Sequence, residues 1–166
     1  MKLFRTLMLI TLFAVPAGGM AQQRAPHSNV ISLNPFLFIG GWYNAEFEHS
    51  VSPNTTLGAR GSLVTLDDDV DYVSGRAFVR YYPTTAFRGF FLGIDAGVTS
   101  LKEDNDAGDH TVFGAGFELG YNWLLGSQQK LYLSLGAGAD RLFGNDLDDF
   151  TVVLPTIRIV NVGIAF

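Results

Sequence analysis

The fold is decided by a stretch that reads TVFGAGFELGYNWL from Thr111 to Leu124. Between Phe113 and Trp123, apolar or aromatic residues occupy every second position, and glycine, glutamate or asparagine occupies the positions between them. Because successive side chains of a strand point to opposite faces, this alternation predicts a β-strand with one apolar face and one small or polar face.

The same alternation recurs along the chain in eight runs of roughly ten residues, each followed by a turn, as in transmembrane β-barrels. The predicted strands span residues 29–38, 42–51, 56–66, 71–82, 90–100, 111–124, 130–141 and 154–166. Gly40-Gly41 and Ser52-Pro53-Asn54-Thr55 are typical turn sequences between them. The sequence therefore predicts an all-β, eight-stranded antiparallel transmembrane up-and-down β-barrel, in which the last strand closes against the first.

The start of the chain has the pattern of a secretory signal peptide. A short basic region (residues 1–5) precedes an apolar run (residues 6–15) and several small residues, so cleavage is expected after Ala21. The apolar run is shorter than the roughly 20 residues that a membrane-spanning helix needs. We therefore expect a signal peptide at residues 1–21, a flexible lead-in at 22–28 and a barrel domain at 29–166.

The composition excludes several classes of protein. The chain has no cysteine, which rules out disulfides, zinc–thiolate clusters and thiol catalysis. Loss of Lys2 and Arg5 with the signal peptide would move the formal net charge from −5 to −7, and an acidic chain is a poor partner for nucleic acid. Glycines such as Gly114 and Gly116 recur with the period of a strand, without the strand-to-helix transition of a phosphate-binding loop, so no cofactor is expected.

Charged residues decide which face of the barrel wall points inward. Within the predicted strands they fall on one parity, opposite the continuous apolar face, and they are Glu46, Glu48, Arg60, Arg76, Arg80, Asp95, Glu118 and Asp140. This charged face is sparse and rich in glycine and serine, so it fits the narrow lumen of a small barrel. We therefore expect the apolar face to contact outer-membrane lipid and the charges to pair inside a closed lumen with no open pore.

Acidic residues concentrate in the connections after the third, fifth and seventh predicted strands. They are Asp67, Asp68, Asp69, Asp71, Glu103, Asp104, Asp106, Asp109, Asp146, Asp148 and Asp149. Long polar loops of outer-membrane barrels face the exterior, which places these loops outside the cell. They could contact divalent cations or lipopolysaccharide, but Asp67–Asp71 lacks the ligand spacing and glycine of an EF-hand, so no specific metal site is predicted.

Aromatic residues lie near the ends of the predicted strands, as expected for rings at the headgroup boundary of a membrane. The periplasmic group is Tyr81, Tyr82, Phe90, Phe91, Tyr121, Trp123 and Phe166, and the outer group is Trp42, Tyr43, Tyr72 and Phe113. We expect these residues to form two girdles around the barrel.

Six short motifs follow one another along the chain, namely Ser32–Pro35, Gly40-Gly41, Glu46–His49, Arg80–Pro83, Gly89–Gly93 and Leu154–Arg158. In their order and spacing they resemble a family of small outer-membrane β-barrel domains of unknown function, related in architecture to OmpA and OmpX. The last strand also resembles the terminal signal of such proteins, which implies recognition by the barrel-assembly machinery through Val160, Val162, Ile164 and Phe166. The resemblance covers nearly the whole mature chain and implies a location in the cell outer membrane.

The last predicted strand carries one irregularity. Counted back from Phe166, the alternation would turn Arg158 toward lipid at a cost of roughly 2–4 kcal/mol near the midplane. Counted forward from Ile157, the same residue faces the lumen. Both parities hold only if a β-bulge between Ile159 and Asn161 absorbs one residue, which adds Arg158 to the charges inside the barrel.

The stretch His49-Ser50-Val51-Ser52 is a candidate for nucleophilic chemistry at a rim. A serine nucleophile needs a positioned base and a third orienting group, but Glu48 and His49 point to opposite sides of a strand. We therefore favour a non-enzymatic outer-membrane protein that supports envelope integrity or surface interaction through its acidic loops. Two alternatives stay open, namely a rim-located lipid-modifying hydrolase and a protein that binds a small ligand at the extracellular mouth.

Overall fold

The computed structural model describes residues 26–66, 70–103, 110–143 and 153–166. Within these residues the chain forms one closed barrel, with a five-residue helix between its first two strands. The elements are β1 (Asn29–Leu33), α1 (Pro35–Ile39), β2 (Trp42–Ser52), β3 (Thr55–Leu66), β4 (Val70–Tyr81), β5 (Gly89–Glu103), β6 (His110–Leu125), β7 (Leu131–Phe143) and β8 (Val153–Ala165). The predicted signal peptide and most of the predicted lead-in lie outside the described residues.

Each strand pairs antiparallel with the next one in the sequence, and β1 pairs with β8 to close the barrel. The closing ladder joins Ile31 to Ile164 and Leu33 to Val162. The predicted all-β, eight-stranded antiparallel barrel is therefore confirmed. Closure removes the unpaired edges that an open sheet would present to other chains.

The ladder between β4 and β5 continues beyond the predicted strand ends at residues 71 and 100. Val70 pairs with Glu103 and Asp71 pairs with Lys102. The assignment of Glu103 to an outer loop is therefore wrong, because the paired backbone makes it part of β5. Asp71, counted among the loop acids and also as the start of the predicted strand 71–82, lies in β4.

The first predicted strand, residues 29–38, is wrong in its second half, where the chain forms α1. Asn34 caps this helix, since its side-chain oxygen accepts hydrogen bonds from the backbone N–H groups of Phe36 and Leu37 at 3.1 and 3.2 Å. Pro35 occupies the first helical position, where a backbone N–H would have no partner within the helix. Gly41, at a φ of 78°, then reverses the chain into β2. The described residues contain no helix with the length and apolar character needed to cross a membrane.

The predicted irregularity of the last strand is present in the register of β7 with β8. Ser134 pairs with Asn161, whereas Gly136 pairs with Arg158, so two residues of β8 oppose one residue of β7 between these pairs. Two residues against one is a β-bulge. Its predicted position between Ile159 and Asn161 is confirmed, while the side chain of Arg158 lies outside the described side chains.

The two faces of the barrel wall differ in exposure. Along β5, Leu92 and Ile94 point outward with 50 and 66% of their surface exposed, whereas the neighbouring Asp95 is 6% exposed. The polar residues buried inside the other strands include Glu46, Glu48, Thr56, Arg80, Glu118, Asn122, Ser134, Asp140 and Asn161. Apolar side chains therefore cover the outside of the barrel, and polar side chains fill most of its interior.

The end of the barrel that holds the last strand's terminus is closed by an apolar cluster, which we call the plug. It consists of Val30, Tyr82, Ala86, Phe87, Phe91, Leu124, Tyr132 and Ala165. The connection between β4 and β5 folds inward to supply part of it, because the N–H groups of Tyr82 and Ala86 donate to the carbonyls of Asn54 and Pro53 at 2.8 and 2.7 Å. Phe87, at a φ of 65°, is fully buried there, so packing of its ring offsets an uncommon backbone conformation.

The aromatic girdles are predicted wrongly for four residues. Tyr82 and Phe91 lie in the plug, because each shares the inward parity of its strand. At the opposite end, which we call the mouth, Trp42 and Tyr72 line a cavity with their ring centroids 6.1 Å apart, and Trp42 keeps 40% of its surface exposed at the rim. The aromatic residues that do point outward near the strand ends are Tyr43, Tyr81, Phe90, Phe113, Tyr121, Trp123 and Phe166.

Candidate functional site

Three arginines organise the interior of the barrel, and Arg80 on β4 is buried completely. Its guanidinium group donates to Glu46 at 2.7 and 3.0 Å, to Glu48 at 2.5 Å and to Glu118 at 2.5 Å. The same group lies 4.0 Å from the ring centroid of Phe78. One buried cation therefore joins three carboxylates supplied by β2 and β6.

Two further arginines extend these ion pairs toward the mouth. Arg60 donates to Asp95 at 2.5 Å and to Glu118 at 2.9 Å. Arg76 lies 2.8 Å from carboxylate oxygens of both Asp95 and Asp140. Asp95 is shared by Arg60 and Arg76, and Glu118 is shared by Arg60 and Arg80. All these ion pairs therefore form one connected set, which we call the charge network.

Glycines on the inner face leave the space that the charge network occupies. A side chain at Gly116 would collide with the carboxylate of Asp140, and one at Gly93 would lie 2.8 Å from Cγ of Glu118. The alternation of glycine with acidic residues along β5 and β6 is therefore the local sequence feature that makes room for long charged side chains.

The pairing explains how a narrow interior holds so many charges. Desolvating an ionised group costs several kcal/mol even after relaxation, and close opposite charges with additional hydrogen bonds offset that cost. Each charged side chain of the charge network contacts at least one group of opposite sign within 4.0 Å. The interior is therefore a packed, paired assembly rather than a set of isolated charges.

Glu48 connects the charge network to the plug. Its carboxylate accepts hydrogen bonds from the hydroxyl groups of Thr56 at 2.5 Å and Tyr82 at 2.7 Å. The Tyr82 hydroxyl also accepts from Nδ2 of Asn122 at 2.8 Å. All four side chains are fully buried. A hydrogen-bonded layer therefore crosses the barrel from β2 to β6 next to the apolar plug.

A cavity of about 150 Å³ lies at the mouth, between α1 and the charge network. Its wall includes Arg60 and Arg76, the indole of Trp42 and the amide of Asn44. Asp140 also lines it, and Oδ1 of this residue has no hydrogen-bond partner among the described residues. At roughly 30 Å³ for each water in the liquid, the cavity has room for about five waters or a small polar molecule.

The residues predicted from the sequence divide into those that the structure brings together and those that it does not describe. Eight of the nine residues expected in the lumen lie in the charge network, namely Glu46, Glu48, Arg60, Arg76, Arg80, Asp95, Glu118 and Asp140. Arg158 pairs with Gly136 through its backbone, and its side chain lies outside the described part. The loop residues Asp67, Asp68, Asp69, Asp104, Asp106, Asp109, Asp146, Asp148 and Asp149 also lie outside it.

The residues of the predicted assembly signal lie at the seam between the last and first strands. Ile164 and Phe166 are exposed on the outer face, and Val162 pairs with Leu33 of β1 and Leu133 of β7. Recognition of this segment by the assembly machinery stays a prediction.

The stretch around His49 does not form a nucleophile and base pair. Nδ1 of His49 lies 2.8 Å from Oδ1 of Asn29, while the Ser50 hydroxyl donates to the backbone carbonyl of Ser52 at 2.9 Å. A serine nucleophile needs a base in contact with its hydroxyl, and His49 does not supply one to Ser50. Within the part of the chain that the structure describes, no cluster of three or more histidine, aspartate or glutamate residues is placed to hold a metal ion.

Sequence reasoning missed the plug and the hydrogen-bonded layer beside it, although a signal for both was present. Tyr82 has the same parity as the inward-facing Arg80, and Phe91 has the same parity as Gly93. Their position near strand ends favoured the girdle interpretation, whereas the alternation alone would have placed both rings inside.

Comparison with known proteins identifies the family and supports the fold. The model of a family described as a protein of unknown function, DUF3575, matches residues 6–151. No curated protein matches the chain. Among solved structures, the barrel is similar to the N-terminal β-barrel domain of Pseudomonas aeruginosa OprF, with a TM-score of 0.52 and 13% sequence identity over 84% of this chain and 98% of that one. At this identity the likeness concerns the fold alone, whereas the family match spans most of the sequence, and the chain belongs to the DUF3575 family.

Proposed function

We propose that this protein is a non-enzymatic integral β-barrel of the cell outer membrane, with a filled, charged lumen, that supports envelope integrity or surface interaction through its acidic outer loops. The observation that carries the proposal is the inverted polarity of the barrel wall. Outward-facing Ile94 and Ile164 are more than half exposed, while Arg80 and Glu48 are completely buried inside. A small barrel surrounded by water has the opposite arrangement, with apolar residues inside.

The apolar surface surrounds the barrel. Every strand contributes at least one large exposed apolar side chain, for example Ile31, Phe47, Leu57, Val79, Leu92, Phe117, Leu135 and Ile164. Contiguous exposed apolar patches beyond a few hundred Å² mark an interaction surface or a membrane contact. Because a bilayer meets a barrel on all sides, whereas a protein partner usually covers one side, this distribution supports lipid as the surrounding medium.

A lysine placed on the outer wall tests the proposal. Ile94 lies midway along the outward-facing apolar run of β5, four residues from Phe90 at the plugged end and four from Val98 toward the mouth. In lipid vesicles, Ile94→Lys should lower the free energy of unfolding by about 2–4 kcal/mol, and the rim variant Val51→Lys by about 0–1 kcal/mol. Urea titration followed by tryptophan fluorescence measures both. Equal effects at the two positions, or a wild-type barrel that stays monomeric in buffer without detergent or lipid, would refute a membrane location.

The packed interior supports the absence of an open pore. The plug fills one end, and the charge network spans the interior between the plug and the mouth, from one side of the barrel to the other. In planar bilayers the purified protein should therefore show no large single-channel conductance. A stable large conductance would contradict the proposed filled lumen while leaving the membrane location intact.

The proposed role of the outer loops is supported by their acidic sequence. Carboxylate oxygens are the ligands that hard divalent cations prefer, and such cations can bridge acidic loops to lipopolysaccharide phosphates. A calcium titration that raises the thermal stability of the vesicle-bound barrel would support this contact, and an unchanged melting temperature would dismiss it.

The cavity at the mouth favours a second candidate function, the binding of a small polar ligand. Trp42 lies in the cavity wall, together with two arginines and Asp140, whose Oδ1 has no hydrogen-bond partner among the described residues. In a Trp123→Phe variant, fluorescence reports on Trp42 alone. Titration with monosaccharides should give a saturable change that is lost in Asp140→Asn, and a flat response would exclude this class of ligand.

A further inference from the structure

The helix α1 presents an apolar surface at the mouth of the barrel. Phe36, Phe38 and Ile39 are exposed at 58, 39 and 87%. The side chain of Ile39 is thus almost completely exposed, although isoleucine is among the most apolar residue types. No charged residue occurs between Asn34 and Ala45, whereas each of the other three connections at the mouth is rich in acidic residues. The connection that contains α1 therefore differs in chemistry from the rest of that end.

Contacts at the base of α1 fix which of its sides points inward. The backbone N–H of Asn34 donates to the side chain of Asn44 at 2.9 Å, and the Asn34 side chain caps the helix. Leu37 lines the cavity at the mouth. With Leu37 turned inward, the helix cannot also bury Phe36 and Ile39 against the barrel, because side chains separated by one or two positions point to different sides of a helix.

The exposed side of α1 continues the outer wall. Ile31 and Leu33 on β1 precede it and are exposed, and Tyr43 on β2 follows it with its ring 5.1 Å from that of Phe38 in an edge-on arrangement. This apolar band runs without a charged residue from the wall onto the helix. The partner that already surrounds the wall in the proposed function is therefore the one that fits α1 as well.

We propose that α1 is a lipid-inserted lid, in which Phe36, Phe38 and Ile39 enter the acyl and headgroup boundary of the outer leaflet while Leu37 covers the cavity. This inference rests on the membrane location proposed above. A helix with Phe and other large apolar residues on one side can lie in the interface with that side buried about 5–10 Å into the headgroup and acyl boundary. Removal of the lipid contact would leave the lid held by its cap, the Asn34–Asn44 hydrogen bond and the Phe38–Tyr43 ring contact, so the cavity would open more often.

Single-tryptophan variants test the insertion. In a Trp42→Phe, Trp123→Phe background, Ile39→Trp reports on α1 and Ser127→Trp on an exposed turn, while Trp42→Phe alone leaves Trp123 on the outer wall. Each is reconstituted in phosphatidylcholine vesicles whose acyl chains are brominated close to the headgroup. We expect these vesicles to quench Ile39→Trp about as strongly as Trp123, and to leave Ser127→Trp unquenched.

The outcomes separate this inference from the membrane location. If Trp123 is quenched and Ile39→Trp behaves like Ser127→Trp, the lid does not insert, and the membrane location stands. If Trp123 is not quenched either, the membrane location fails and the inference fails with it. A third outcome would overturn the proposal. If Ile39→Trp is shielded from acrylamide in detergent, and this shielding is lost when the protein is diluted, the apolar side of α1 contacts a second copy of the chain.

A second measurement tests the link between lipid and cavity, using Trp42 as the reporter. In a Trp123→Phe background, Ile39→Asp should raise the acrylamide quenching constant of Trp42 in vesicles above that of the parent. The matched control Val51→Asp carries the same change on the outer wall at the opposite rim and should leave the constant unchanged. Equal constants for the parent and Ile39→Asp would show that α1 does not act as a lid.

Discussion

The inner and outer walls of the barrel are made by alternate residues of the same strands, yet the inner wall buries charged side chains and the outer wall exposes apolar ones. On β5, Asp95 is held between Arg60 and Arg76, while its neighbour Ile94 is 66% exposed. A change on the inner wall alters partners that are fixed on several strands at once. A change on the outer wall alters only contact with the surrounding medium. The two walls should therefore respond very differently to the same substitution.

The largest effect is expected where the inner wall loses its central cation. Arg80→Ala leaves the carboxylates of Glu46, Glu48 and Glu118 without their shared partner in a fully buried site. Removal of one partner from a buried ion pair costs about 3–5 kcal/mol, because the remaining charge stays uncompensated. Urea unfolding in lipid vesicles, followed by tryptophan fluorescence, should show at least a loss of this size.

Arg88→Ala is the matched control for this change. Arg88 is itself exposed, although it follows the buried residues of the connection between β4 and β5, so its loss should alter stability by no more than about 0.5 kcal/mol. Similar values for Arg80→Ala and Arg88→Ala would mean that the charge network does not stabilise the barrel. A partial recovery of stability in Arg80→Met, which restores volume without charge, would separate lost packing from the uncompensated carboxylates.

A smaller effect on the free energy of unfolding is expected when one glycine of each wall is replaced by alanine, and its sign should differ between the two walls. On the inner wall, a side chain at Gly97 would collide with the carbonyl oxygen of Gly75 and lie 2.7 Å from Cα of Arg76. Because backbone atoms cannot move aside easily, Gly97→Ala should cost about 1–3 kcal/mol. On the outer wall, a side chain at Gly75 would meet nothing within 4 Å. Gly75→Ala should be neutral or stabilise the barrel by up to about 1 kcal/mol, since alanine loses less conformational freedom than glycine on folding.

The same unfolding assay in vesicles measures both glycine variants. A cost for Gly75→Ala equal to that of Gly97→Ala would show that the two walls are packed alike, and the contrast between them would be lost. Retention of wild-type stability in Gly97→Ala would instead mean that β4 and β5 can separate locally to accept a methyl group.

The division into two walls could be predicted from the sequence because it depends only on the period of a strand. The identity of the ion pairs could not, since Arg60 on β3 contacts Glu118 on β6, and these strands are not neighbours in the barrel. Such a contact depends on the tilt of the strands and on the reach of side chains across the lumen. The acids and arginines could be assigned to one face, but their partners depend on three-dimensional closure.

The two ends of the barrel were harder to predict than its wall, for a related reason. Alternation places the rings of Tyr82 and Phe91 inside, but it carries no information about the inward path of the connection that adds Ala86 and Phe87 to the plug. At the mouth, by contrast, the local signal was available. Asn34 followed by Pro35 is a typical start of a helix, and it outweighs the apolar alternation that suggested a longer strand.

The smallest effect is expected at Asn34, where the alternation of the two walls gives way to α1. Asn34→Ala removes the hydrogen bonds to the N–H groups of Phe36 and Leu37, and loss of such a cap costs about 0.5–2 kcal/mol. Because the barrel ladder does not include α1, this change should loosen the mouth with little effect on the unfolding of the whole barrel. Hydrogen exchange should therefore speed up at Phe36 and Leu37 in Asn34→Ala and stay unchanged in β5. If protection fell equally in both regions, the mouth and the wall would unfold as one unit, and the distinction between them would apply to polarity but not to stability.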